Sequence, residues 1–107
     1  LPNKSQDKRA DCLTTLALGG GRDVYCSWRF AYRSEAAMNA FESVINEVTH
    51  CLGPDAVQST DQQVNHPDAY DLRLFKVGTK EFAVSLKDKG ALQQTLIFLR
   101  VPLTAKP

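Results

Sequence analysis

The chain has 107 residues, of which 13 are basic and 12 acidic, giving a formal net charge of +1. That length suits one domain with a single core, hiding somewhat over ~60% of the surface its unfolded chain exposes. The charges are interspersed, so no global field draws the chain to nucleic acid or an anionic membrane, and no apolar run reaches the ~18 to 20 residues needed to cross a bilayer.

The chain opens on Leu1-Pro2, which reads as the removal of a signal peptide, an upstream domain or a cloned boundary. Residues 1–10 read as a flexible leader, because Asn3 to Arg9 is polar and charged and holds too little apolar surface to order itself. A single domain over residues 11–107 follows.

Asp11 to Leu18 carries two readings, a helix ending at Gly19 or a strand. The strand is preferred, since Cys12, Thr14, Leu16 and Leu18 share one side and a Gly19-Gly20-Gly21-Arg22-Asp23 loop returns into Val24. Pairing Leu18 with Val24 then sets Leu16 beside Cys26, Thr14 beside Trp28 and Cys12 beside Phe30. The glycine run has backbone amides and an arginine that an anion could meet. It lacks the lysine and hydroxyl of a phosphate loop and precedes a strand, so a hairpin tip is the better reading.

From Val24 to Arg33 the alternation is unbroken, with Val24, Cys26, Trp28, Phe30 and Tyr32 on one side and Tyr25, Ser27, Arg29, Ala31 and Arg33 on the other. Ser34 is a natural N-cap and Glu35 complements the helix dipole. Ala37, Phe41, Val44, Ile45, Val48 and Leu52 then recur at helical spacing, and Gly53-Pro54 stops the helix.

Asp55 to Ala69 is polar and aperiodic and reads as a long loop containing His66-Pro67. Three strands follow, Tyr70 to Val77, Glu81 to Lys87 and Leu92 to Val101. Gly78-Thr79 suits a two-residue turn, which puts Phe75 opposite Phe82 and leaves Tyr70, Leu72 and Leu74 on the other side. An odd-length loop aligns those three with Phe82, Val84 and Leu86, and is preferred because burial usually fixes register. Asp88-Lys89-Gly90 reads as a turn with its glycine left-handed. The last strand is apolar on both sides, Leu96 and Phe98 against Ile97, Leu99 and Val101. A central strand covered by its own chain accounts for that run, as does one side left bare for a partner.

The sum is an α+β fold, a ββαβββ antiparallel sheet of about five strands with one long amphipathic helix on one face. Three cysteines fit one disulfide and one spare thiol in an exported protein, secreted or periplasmic. Cys26 with Cys51 is the preferred pair, joining strand to helix end; Cys12 with Cys26 is the rival, and Cys12 with Cys51 a third pairing.

Chemistry-bearing constellations are sparse. No CxxC, HExxH or repeated His/Cys spacing points to a metal, and no cofactor is implied. A thiol with His66 would make a cysteine-dependent enzyme, while His50, adjacent to Cys51 on the helix, points elsewhere. Arg29, Arg33, Arg73 and Lys87 read as sharing the polar side with Tyr25 and Phe75. Single-stranded nucleic-acid binders use such mixtures, but Asp71 and Glu81 on the same side and the neutral charge disfavour that partner. The favoured reading is a non-enzymatic interaction module binding a protein or a second copy of itself through Tyr25, Arg29, Arg33, Arg73 and Phe75. Ile97 and Leu99 join that set if their side is bare.

Overall fold

The computed structural model describes residues 10–16, 21–64 and 68–103, and the side chains of all of these except 62–64. Residues 1–9 of the leader, Leu18 with its expected pairing to Val24, the Gly19-Gly20 tip and the His66-Pro67 pair lie outside the described residues. One antiparallel sheet carries six strands, β1 (Asp11–Leu16), β2 (Arg22–Ala31), β3 (Val57–Val64), β4 (Ala69–Val77), β5 (Lys80–Lys89) and β6 (Gln94–Leu103), in the spatial order β1-β2-β6-β5-β4-β3. Helix α1 (Glu35–Leu52) lies across β2, β6, β5 and β4 on one face. The fold is α+β, as the alternation and the capped helix predict, with one strand more than expected.

The extra strand is β3, which replaces most of the long loop expected between Asp55 and Ala69. Its described side chains from Val57 to Asp61 are exposed, and it pairs only with β4. An edge strand that contributes nothing to a core has no reason to alternate apolar and polar residues, so periodicity passes over it.

The helix follows its sequence signals closely. The Ser34 hydroxyl accepts from the Ala37 amide at 3.1 Å, and Gly53 closes the other end at φ 81°, donating its N–H to the Thr49 carbonyl. Phe41, Val44 and Ile45 pack on Phe75, Val84, Leu86 and Ile97, with Trp28, Phe30, Phe82 and Leu99 around them.

Two registers differ from expectation. Along β1 and β2 the pairing runs Cys12 to Cys26, Thr14 to Val24 and Leu16 to Arg22, each β1 residue meeting a β2 residue four positions earlier than in the expected hairpin. The sides still coincide, because a slide by an even number preserves the pleat. Arg22 and Asp23 thereby join the ladder, where they pair with Leu103 and Pro102 of β6. The larger change is between β4 and β5: Val77 pairs with Lys80 and Phe75 with Phe82, so the two-residue Gly78-Thr79 turn holds and the odd loop does not. Gly78 sits at φ 62°, a conformation glycine adopts at little cost. Phe75 gains a nearly sealed place in the core at 1% exposed, while Asp71 and Arg73 come in beside it as a mutually neutralising pair. At the β5–β6 turn the left-handed residue is Gln93, at φ 55°, and Gly90 instead opens a short 3-10 turn.

Candidate interaction face

Register decides which side chains meet. On the helix side stand Trp28, Phe30, Phe75, Phe82, Val84, Leu86, Ile97 and Leu99, and their neighbours in sequence point to the other face. The expected contact set therefore divides. Ile97 is fully buried and Leu99 packs against the core, so their side is roofed by the helix and not bare. Phe75 lies in the core, and Arg73 reaches up to the helix, its Cζ 5.4 Å from the Phe41 ring centroid. Placing Arg73, Phe75 and Asp71 on the polar side is corrected by the two-residue turn, which reverses the parity of β4 against β5.

Arg73 holds Asp71 through two hydrogen bonds, Nε to Oδ1 at 2.9 Å and Nη2 to Oδ2 at 3.1 Å. This bidentate hydrogen bonding raises the Arg73 pKa, partial burial opposes it, and the charges of Asp71 and Glu42 add to the rise. Arg33, just past the end of β2 at φ 52°, serves as an anchor. Its N–H donates to Thr95 Oγ1 at 2.7 Å, its Nε donates to Asp88 Oδ2 at 3.0 Å, and Thr95 Oγ1 donates to Asp88 Oδ1 at 2.7 Å. Thr95 and Asp88 are buried, so this cluster ties the start of α1 to β5 and β6.

Tyr25 and Arg29 do occupy the open face. Around them the register sets three rows across the sheet: Arg29, Leu96, Lys87 and Tyr70; Ser27, Phe98, Ser85, Leu72 and Asp61; Leu13, Tyr25, Arg100, Ala83, Leu74 and Ser59. Small residues on β5, Ala83 and Ser85, thus run between larger ones on β4 and β6. Leu72, Leu74, Leu96 and Phe98 are half-buried, and Leu13 and Tyr25 are exposed. Arg100 in this face donates to Glu81 Oε1 at 3.2 Å and lies 4.0 Å from Asp23. Lys87 Nζ sits 5.4 Å from the Phe98 ring centroid, a cation–π contact. The Tyr70 hydroxyl donates to Asp61 Oδ2 at 3.2 Å; partial burial of the ring raises its pKa, and the Asp61 charge and hydrogen bond raise it further.

Alternation along the last strand separates Leu96 and Phe98 from Ile97 and Leu99 but does not say which pair faces the helix, and the expected set takes the wrong pair; Leu72 and Leu74 are missed because the odd loop assigns them to the core. Both are legible once the Gly78 turn is given priority.

The cysteines correct the preferred pairing. Cys12 and Cys26, directly opposite on β1 and β2, form the disulfide, and Cys51 is a free thiol exposed at the helix end. The four-residue shift in pairing brings Cys12 to Cys26 and removes it from Phe30. A cysteine enzyme is left with Cys51, while His66 lies outside the described residues. Among the described residues no three His, Cys, Asp or Glu side chains cluster to hold a metal, and no helix is long and apolar enough to cross a membrane.

Comparison with protein-family models, curated proteins and solved structures returns no match for this chain.

Proposed function

We propose that this chain is a small, non-enzymatic interaction module acting outside the cytoplasm, which binds a protein or a second copy of itself through the uncovered face of its sheet. The observation that carries this reading is the one-sided placement of the helix: the opposite face holds Leu72, Leu74, Leu96, Phe98 and Tyr25 in adjacent rows. Aromatic and arginine side chains beside an apolar patch are the residues from which binding hot spots are built. The Cys12–Cys26 disulfide supports an oxidising compartment, secreted or periplasmic. Nucleic acid fits less well, since Asp11, Asp23, Asp61 and Glu81 stand among the cations of the same face.

The test uses Phe98→Asp and Leu74→Asp, each placing a charge on the open face without entering the core. Native mass and affinity capture are measured for the wild type and both variants side by side. The reading requires that oligomeric state or capture of a specific protein be lost in the variants while their thermal unfolding stays cooperative. Identical mass and identical captured proteins across all three would refute it.

A further inference from the structure

The open face also indicates what kind of protein segment it takes. Its carboxylates are already engaged: Asp11 by Arg29, Asp23 and Glu81 by Arg100, and Asp61 by the Tyr70 hydroxyl. Its lysines have no acidic partner among the described residues, Lys87 meeting only the Phe98 ring. Lys76, Lys87 and Lys89 alternate with core-facing positions on β4 and β5, and among the described residues none has a carboxylate within ion-pair distance. Three positive charges without a carboxylate partner therefore border the apolar rows.

A second observation lies at the centre of those rows. Ser85 is only 9% exposed, with Phe98 directly opposite on one side and Leu72 on the other. Its hydroxyl has no hydrogen-bond partner among the described residues. A buried hydroxyl without a partner is unfavourable in the free protein, and a docked polar group that reaches it would remove that cost.

Building on the open-face reading, we propose that the occupant is an acidic amphipathic segment of a partner protein. Its apolar side chains rest on Leu72, Leu74 and Phe98, its carboxylates face Lys76, Lys87 and Lys89, and a polar group meets the Ser85 hydroxyl. Charge complementarity of this kind selects partners and speeds encounter. A peptide can place separate carboxylates beside the lysines while avoiding the four acids of the face. A continuous anionic lipid surface cannot.

The experiment uses the whole chain with its disulfide intact and three labelled amphipathic peptides of about 18 residues, sharing one apolar stripe and carrying Glu, Gln or Lys at the polar positions. Affinities are read by fluorescence anisotropy at low and high salt, and the contact is mapped by amide chemical shifts. The glutamate peptide is expected to bind about tenfold or more tightly than the other two, to weaken with salt, and to shift β4, β5 and β6. Lys87→Glu should reverse the preference toward the lysine peptide. Ser85→Ala should weaken glutamate-peptide binding while leaving the free protein as stable or more so. Equal, salt-independent binding of all three peptides to β4–β6 would overturn the acidic partner yet leave the open-face reading intact. Shifts confined to the helix side, or no binding at all, would also overturn the proposal. Preferential binding to phosphatidylglycerol vesicles, or a native dimer that blocks the peptide, would replace the proposed occupant with lipid or a second copy.

Discussion

Thr95 illustrates how one buried hydroxyl can hold a backbone turn in place. It accepts from the Arg33 N–H and donates to Asp88, at a point where Arg33 adopts a left-handed conformation that a non-glycine residue reaches only under constraint. Thr95→Val keeps the shape and removes both bonds, so it should cost about 3 kcal/mol, read as a lower urea midpoint at unchanged m. Tyr70 gives a pH signature. Its pKa is raised in the folded state, so the protonated phenol stabilises the fold fully below the unfolded phenol value, and that contribution is lost as pH rises through the folded value. Absorbance titration should find a tyrosine ionising later than a free phenol, and Tyr70→Phe should remove that late step. The cysteines make a third residue-level expectation. Alkylation of the native oxidised protein should label Cys51 alone, and peptide mapping that found label on Cys12 would contradict the Cys12–Cys26 bridge.

Among the elements, α1 was the most legible, because cap, period and stop all favour one state. Ser34→Ala should cost about 1 kcal/mol of stability by leaving the Ala37 amide unsatisfied. Strand β1 is held differently. All its residues are exposed or half-buried, so no side chain of β1 enters the core, and its attachment rests on the ladder to β2 and on the disulfide. Replacing both Cys12 and Cys26 by serine should lower stability by about 3 kcal/mol through the freed chain entropy, and hydrogen exchange should then accelerate first in β1. Strand β3 was hidden for the reason that β1 is weak, namely a lack of burial. The β4–β5 register was hidden because two signals disagreed: the apolar run Tyr70, Leu72 and Leu74 favoured one parity, and Gly78 with Phe75 the other. That one choice controlled the site, since it moved Arg73 and Phe75 under the helix and brought Leu72 and Leu74 onto the open face. Tyr25 and Arg29 were placed correctly because β2 alternates without a break. The favoured disulfide failed from a four-residue shift in pairing, which side alternation alone does not register.

For the molecule as a whole, the sheet is assembled from two consecutive pieces. The first is the β1–β2 hairpin with α1, and the second is the meander β3 to β6, in which each strand pairs with the next. They join along β2 and β6 through ten residue pairs, from Arg22 with Leu103 to Ala31 with Gln94, while α1 reaches over the join to β4. A protease cut in the short exposed link at Pro54-Asp55 would therefore separate the molecule along its longest non-local seam and leave each piece with half of a common core. Neither piece would be expected to hold its shape alone, yet mixing the two should restore the intact far-UV spectrum. The chain is thus built as a natural two-part complementation system, in which reunion of the severed halves could report on whatever brings them together.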